Sequence, residues 1–288
     1  HGGFAQSTGK FGGIEGDTKA IGNVEYVNQN PIGKSSRSNP VTYVKAYDDI
    51  RTLYANQGLS KTRGYKPSFF SFNVEGGRCE TCKGEGKITV EMQFMPDIKL
   101  KCDACEGKRF TDEVLEVEYR KVSINKLLEM TIDETLFFLK EDDGRLAKKI
   151  TKKLQPLHDV GLGYVSLGQS SNTLSGGEAQ RIKLASFLIQ GQAIMADKKT
   201  LFIFDEPTTG LHFHDIKKLL KAFDDLLVLG HSIIIVEHNQ DVIKCADWVI
   251  DLGPEGGEEG GDLVFAGTPE NLAKKKNSFT GQFLKERI

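Results

Sequence analysis

An α/β fold, with a parallel sheet interrupted by a mainly helical insertion, is what this sequence predicts, and three observations carry it. Two short apolar runs about thirty residues apart, "TLFIFDEP" at 200–207 and "HSIIIVEHN" at 231–239, flank a stretch of helical period, which is the pattern of a βαβ unit. Helical patterns over about 42–57 and 123–158 dominate the middle of the chain. Between them, "RCETCKGEGK" and "KCDACEGKRF" repeat a Cys-x-x-Cys clip about twenty residues apart.

Taken in order, residues 1–40 read as the first part of the α/β core, with "NVEYVNQ" as a strand. The insertion occupies 41–165 and carries the cysteine module at about 75–112; the core resumes over 166–288. Between the clips, apolar and polar residues alternate at Ile88, Val90, Met92 and Phe94 and again at Ile98 and Leu100, which predicts a short hairpin turned at Pro96-Asp97. In the resumed core, Ile216, Leu219, Leu220, Phe223, Leu226 and Leu227 keep a period near 3.6, so the helix of the βαβ unit runs between the two apolar strands. The tail from Lys274 has too little apolar periodicity to assign, and its basic run reads as a solvated end.

The chain has 288 residues, of which 39% are hydrophobic and 27% charged, with a formal net charge of −2. That is enough to bury a core, and the overall charge neither favours nor excludes nucleic acid. No run reaches the eighteen or so apolar residues of a membrane span, and the Gly-rich start, "HGGFAQSTGKFGG", has no signal-peptide character. A cytoplasmic protein with no membrane partner is expected. The chain opens on His rather than Met, which suggests a piece of something longer.

Cys79, Cys82, Cys102 and Cys105 are spaced C-x2-C-x19-C-x2-C, within the range of a four-thiolate zinc site. Gly84, Gly86 and Gly107 allow the tight turns that point both sulfurs of a clip at one ion. A pair of disulfides is the alternative, disfavoured in a reducing compartment; a redox role lacks a thioredoxin-type βαβ neighbour. Cys245 reads as a lone core thiol. So small a hairpin cannot build its own core, and a structural zinc contributes roughly 10–16 kcal/mol, so the metal is expected to dominate the module's order. Its rim carries Arg78, Lys83, Lys87, Lys99, Lys101, Lys108 and Arg109, diluted by Glu75, Glu80, Glu85 and Glu106. This is either a solvated mixed face or a contact for phosphate backbone that reads no bases.

In a parallel sheet, ligands bind beyond the carboxyl ends of the strands, where this sequence puts Asp205, Glu206, Glu237 and His238. An acidic pair directly after a buried strand is costly unless a cation or hydrogen bonds offset it. In a nucleotide hydrolase, Asp205 would face Mg2+ and Glu206 would orient and deprotonate the attacking water. As loop carboxylates they would merely cap the next helix. Upstream, Ser175, Gly176 and Gly177 precede a helical pattern through Ile182, Ala185 and Leu188. Backbone N–H groups clustered at such a helix start attract phosphate, although Ser-Gly-Gly is also an ordinary cap.

These residues resemble the ATP-binding cassette family. "LSGGEAQR" is similar to its signature sequence, "LFIFDEP" to its Walker B strand, His238 to its switch histidine and Gln29 to its Q-loop glutamine. The likeness narrows to the UvrA family of bacterial excinuclease ABC components, C-terminal half, over about 14–275, through "PIGKSSRSNPVTY", "SFNVEGGRCETCKGEG", "DEPTTGLH" and "DLGPEGGEEGG". The resemblance implies a partial cassette core and a DNA-damage sensor of nucleotide excision repair. Such a sensor works as a homodimer, hydrolyses ATP with Mg2+, binds damaged double-stranded DNA and delivers the helicase-like excinuclease component UvrB. Carried over by position, it implies zinc at Cys79, Cys82, Cys102 and Cys105, nucleotide contacts from Gln29, Asp205, Ser175, Gly176 and Gly177, and catalysis by Glu206 and His238. The signature serine and glycines would act on nucleotide held by the other cassette half.

One departure bears on activity. "IGKSS" at 32–36 has the Gly-Lys-Ser of a phosphate loop, but position 28 is Asn where its first Gly belongs. The loop is expected before residue 1 of a longer protein, so this chain alone is expected to bind ATP poorly and hydrolyse essentially none. Two rival classes share parts of the pattern: the zinc domain of DnaJ-type co-chaperones, which lacks the signature and DEP pairing, and the ATPase component of a membrane transporter, which lacks a four-cysteine insertion.

Overall fold

A computed structural model of the chain describes residues 12–33, 35, 37–92, 94, 95, 97–191, 199–255 and 260–288. The expected readings on residues 1–11, Lys34, Ser36, Pro96 and 256–259 lie outside the described residues. In chain order, strand β1 (Ile21–Val27) precedes helices α1 (Pro40–Tyr43), α2 (Tyr47–Ala55) and α3 (Gly58–Arg63), then the strands β2 (Lys87–Val90) and β3 (Ile98–Lys101). Helix α4 (Asp112–Leu115), strands β4 (Glu118–Tyr119) and β5 (Val122–Ser123), and helices α5 (Ile124–Glu129), α6 (Ile132–Leu139), α7 (Arg145–Asp159) and α8 (Gly176–Gly191) follow. The rest is β6 (Lys199–Asp205), α9 (Phe213–Val228), β7 (Ser232–Val236), α10 (Gln240–Ile243), β8 (Val249–Gly253), β9 (Asp262–Gly267), α11 (Pro269–Leu272) and α12 (Phe279–Leu284).

The chain divides into two compact units, one made of the segments up to Val27 and from Asp197 onward, the other running from Asn28 to Ala196. The sequence reading divides instead at 40/41 and 165/166. In the structure the segment after β1 goes with the second unit, where it is tied to α8: Lys183 Nζ donates to the Asn28 backbone oxygen at 2.9 Å and to its side-chain oxygen at 2.8 Å.

In the first unit, the predicted βαβ unit is present. Strands β1, β6 and β7 form a parallel sheet in the order β1-β6-β7. Alternate residues of β6, Phe202 and Phe204, are buried on one face, and the Phe204 and Phe223 rings lie 4.8 Å apart. Helix α9 buries Ile216, Leu219, Phe223 and Leu226, the period-3.6 stripe a sheet-covering helix requires. The other face of the sheet leaves Tyr26, Ile234 and Val236 exposed by half or more. Two features differ from expectation. Cys245 is exposed, because it sits in the turn just past α10. The unassigned tail contains α12, capped by Ser278, whose side chain accepts from Gly281 N.

In the second unit, Tyr54, Phe70, Phe72 and Phe110 are wholly buried, and α7 adds Ala147, Ile150, Leu154 and Leu157. Buried Asp49 on α2 receives Lys149 at 2.7 Å and Lys153 at 2.5 Å from α7, so its charge is compensated by two cations from the facing helix. The predicted helical stretch 123–158 is broken into three. Thr131 and Glu134 form a reciprocal capping box that starts α6, and Gly144 precedes α7; each restart leaves a break before it. The hairpin forms as predicted between β2 and β3, in antiparallel register from Lys87↔Lys101 to Val90↔Ile98. Every residue of both strands is exposed, the apolar Ile88, Val90, Ile98 and Leu100 among them.

Candidate metal centre and strand-end site

The two clips bring their sulfurs together. The Sγ atoms of Cys79, Cys82, Cys102 and Cys105 all lie within 4.8 Å of one another, and all four residues are buried. Cys79 and Cys102 are 4.0 Å apart and Cys82 and Cys105 3.7 Å. Thiolates about 2.3 Å from a tetrahedral zinc are about 3.8 Å from each other, and a disulfide would need about 2.05 Å. The four residues therefore fit one zinc and are not paired as disulfides.

The turns explain how the clip closes. Gly84 N donates to Cys79 O at 3.1 Å and Gly86 N to Cys82 Sγ at 3.2 Å. Gly84 has φ +82°, and a Cβ there would lie 2.0 Å from Phe72 O, so the turn admits only glycine. The second clip closes on the first through Cys79 N to Arg109 O at 2.9 Å and Cys102 N to Gly86 O at 3.0 Å. Burial pushes the Cys105 thiol up to about 12 and raises Cys82, whereas Cys79 is lowered, the cost of burial outweighed by N–H and S–H donors around it. Four thiolates in so small a buried volume require a cation to offset them. Four cysteine ligands would complete a tetrahedral zinc shell and leave no position open for chemistry, as in a structural site.

Arg109 joins this centre to the segment ahead of α8. Its guanidinium lies 5.7 Å over the Phe72 ring and Nη2 donates to Gly168 O at 3.0 Å. Further on, Ser175 caps α8. Its hydroxyl accepts from Glu178 N at 3.3 Å, while Glu178 Oε2 accepts from Ser175 N at 2.7 Å. The sequence reading has Ser175, Gly176 and Gly177 ahead of the helix; in the structure the helix begins at Gly176, and the reciprocal cap occupies the N–H groups of Ser175 and Glu178. Gln29 lies against this start. A Cβ on Gly176 would come within 2.8 Å of Gln29 Oε1 and 2.9 Å of Gln29 Cβ, so glycine is needed there for close approach.

The strand-end site belongs to the first unit. Asp205 ends β6, and its Oδ2 accepts from Tyr26 OH of β1 at 3.0 Å. That hydrogen bond, with some burial and the carboxylate's charge, raises the Tyr26 phenol above its ordinary value. Glu206 follows in the left-handed region at φ +44°, held by its N–H donating to Val236 O of β7 at 2.9 Å. Its Oε1 lies 3.5 Å from His238 Nε2 and its Oε2 accepts from Thr209 Oγ1 at 3.4 Å. Asp205, Glu206 and His238, predicted from the strand ends, are thus gathered at one edge of the sheet; Tyr26 and Thr209 are neighbours that the sequence reading missed. A period-2 reading of β1 puts Tyr26 on a sheet face, but only the β1–β6 register sets it beside Asp205.

A parallel three-stranded sheet with acids at its carboxyl edge in one unit, and a four-cysteine centre that could hold a metal in the other, helical unit, define an α/β fold of the cassette class with an insertion. No family model matches the chain. Among curated proteins, it is 50% identical over 279 residues to UvrABC system protein A of Aquifex aeolicus, covering 97% of this chain and 29% of that protein. It is 52% identical over 260 residues to UvrABC system protein A of Staphylococcus aureus, covering 90% of this chain and 26% of that protein. The solved structure of UvrA2 from Deinococcus radiodurans matches with a TM-score of 0.85 at 43% identity, covering 95% of this chain and 32% of that one. Over nearly its whole length the chain is thus similar to UvrABC system protein A, and it spans less than a third of the length of these proteins.

Proposed function

We propose that this chain is part of the DNA-damage-recognition ATPase of the bacterial nucleotide excision repair system, a protein that acts as a homodimer, binds damaged duplex DNA and loads UvrB. The observation that carries the reading is Glu206 held beside His238 at the edge of a parallel sheet, in a chain half identical to UvrABC system protein A. In this reading Asp205 faces Mg2+, which would neutralise phosphate charge. Glu206 takes a proton from water as its oxygen bonds to the γ-phosphorus, while the bond to the bridging oxygen breaks and ADP leaves. His238 hydrogen-bonds the γ-phosphate and is oriented by Glu206. Gln29, Ser175, Gly176 and Gly177 supply nucleotide contacts from the second unit, the signature residues toward the partner cassette's nucleotide. Zinc at the four cysteines holds the module whose Lys87, Lys99 and Lys101, all exposed on the hairpin, meet phosphate backbone. We assign 1–40 and 166–288 to the cassette core of the intact protein and 41–165 to its signature insertion. A reducing, cytoplasmic location is the one in which these unpaired cysteines would persist; no helix among the described residues is long and apolar enough to cross a membrane.

The test is capture by a full-length protein carrying this sequence. A damaged duplex is expected to be retained, with affinity falling steeply as salt rises. An unfolded polypeptide bound in preference to damaged DNA would mark a chaperone-type zinc module and contradict the reading.

A further inference from the structure

One side chain at the strand-end site, Glu237, bonds to both of its turns and has no role in the hydrolytic step proposed above. Its Oε1 accepts from Thr208 N at 3.1 Å and from the Thr208 hydroxyl. Its Oε2 accepts from His238 N at 2.6 Å and Asn239 N at 3.1 Å. Thr208 lies in the turn after β6, two residues past Glu206, and His238 and Asn239 lie in the turn after β7. Four donors from two separate turns therefore converge on one carboxylate, two on each oxygen.

This arrangement fixes what would otherwise drift. Glu206 is held in the left-handed region, which is strained for a residue with a side chain and persists only where its surroundings over-determine it. On its N-terminal side, the bond from Glu206 N to Val236 O supplies that constraint. On its C-terminal side, Thr208 is clamped by Glu237. The same carboxylate fixes the backbone of His238, and Asn239 is fixed in turn because its side chain accepts from Asp241 N at 2.9 Å at the start of α10. The 3.5 Å approach of His238 Nε2 to Glu206 Oε1 is thus set from both ends by a group that takes part in neither.

We infer that Glu237 is a positioning residue for ATP hydrolysis: it clamps the turn bearing Glu206 to the turn bearing His238 and touches neither nucleotide nor water. The inference rests on the hydrolytic reading of this site. A carboxylate is required because all four partners donate. Glutamine offers one oxygen and turns its own N–H2 donors toward the other pair, leaving at least one backbone N–H unmatched. Displacements of about 1 Å around reacting groups can cost on the order of 10²-fold in rate.

The experiment compares E237Q, T208V, T208V/E237Q and E206Q in a full-length protein carrying this sequence, measuring kcat and KM for ATP, melting temperature and zinc content. For E237Q, kcat is expected to fall about 10- to 100-fold, with KM changed less than twofold and zinc and melting temperature unchanged. T208V, which removes only the hydroxyl donor, is expected to lower kcat less, and the double variant to be no worse than E237Q, since both changes cut one link. Unchanged kcat in E237Q overturns the inference, and so does a KM rise that accounts for the whole loss of activity. If E237Q is destabilised, T208V decides: a lowered kcat at wild-type melting temperature supports the clamp, and an unchanged kcat overturns it. E206Q separates the two claims. Turnover surviving in E206Q refutes the hydrolytic reading itself, whereas an inactive E206Q beside a fully active E237Q refutes the clamp alone.

Discussion

Glu178 shows how much of the second unit's order is written into single side chains. It caps the backbone N–H of Ser175 and accepts the phenol of Tyr164 at 2.7 Å. Burial alone would raise its carboxyl, but the bonds from Tyr164 and Ser175 and the charge of Arg181 outweigh that and hold it below its ordinary value. A carboxyl lowered in the folded state contributes stability that is fully present above its unfolded value, about 4.3, and is lost as pH falls through the lowered folded value. The midpoint of urea unfolding is therefore expected to drop with pH below about 4.3 in the wild type, and to drop less steeply over that range in E178Q; equal slopes would remove the cap's electrostatic role. At this scale the sequence is most legible where chemistry fixes spacing. The four zinc-type cysteines follow from turn geometry alone, whereas the exposure of Cys245 is not legible because an isolated cysteine carries no periodic signal.

The elements differ in what holds them. Helix α7 buries Ile150 and Leu154 almost completely, so I150A is expected to cost about 2–5 kcal/mol. Strands β2 and β3 bury no face: Ile88, Val90, Ile98 and Leu100 are 38%, 40%, 47% and 53% exposed. With little burial to lose, a V90T/I98T variant is expected to stay within about 1 kcal/mol of wild type, while chelating the metal abolishes hairpin order. Denaturant unfolding of the two variants, with and without chelator, checks this. A large loss in V90T/I98T would mean that packing, not metal, holds the hairpin. Period alone reveals α9, β6, β7 and the β2–β3 pairing. It does not reveal that the hairpin's apolar face stays open, since alternation reports a pleat and not a partner. Helix α12 escapes a periodicity reading because it is six residues long and is anchored by a long-range pair: Ser278 and Thr280 hydroxyls donate to Asp251 of β8 at 2.5 and 2.9 Å.

At the scale of the molecule, the chain is two units with separable chemistry, a thiolate centre in one and a carboxylate edge in the other. The boundary between them at 27/28 and 196/197 is not legible in the sequence, because the tie of Lys183 to Asn28 links residues 155 positions apart. The sequence lacks a phosphate loop of its own, and the chain covers 29% of a relative's length, so the hydrolytic reading makes a demand on the whole protein rather than on this part. ATP turnover by a full-length protein carrying this sequence, measured with its zinc content in wild type and E206Q, tests that demand most directly. The account predicts turnover with one zinc bound per four-cysteine centre, turnover lost in E206Q, and zinc retained. Turnover that survives E206Q, or zinc that leaves with it, would contradict the account.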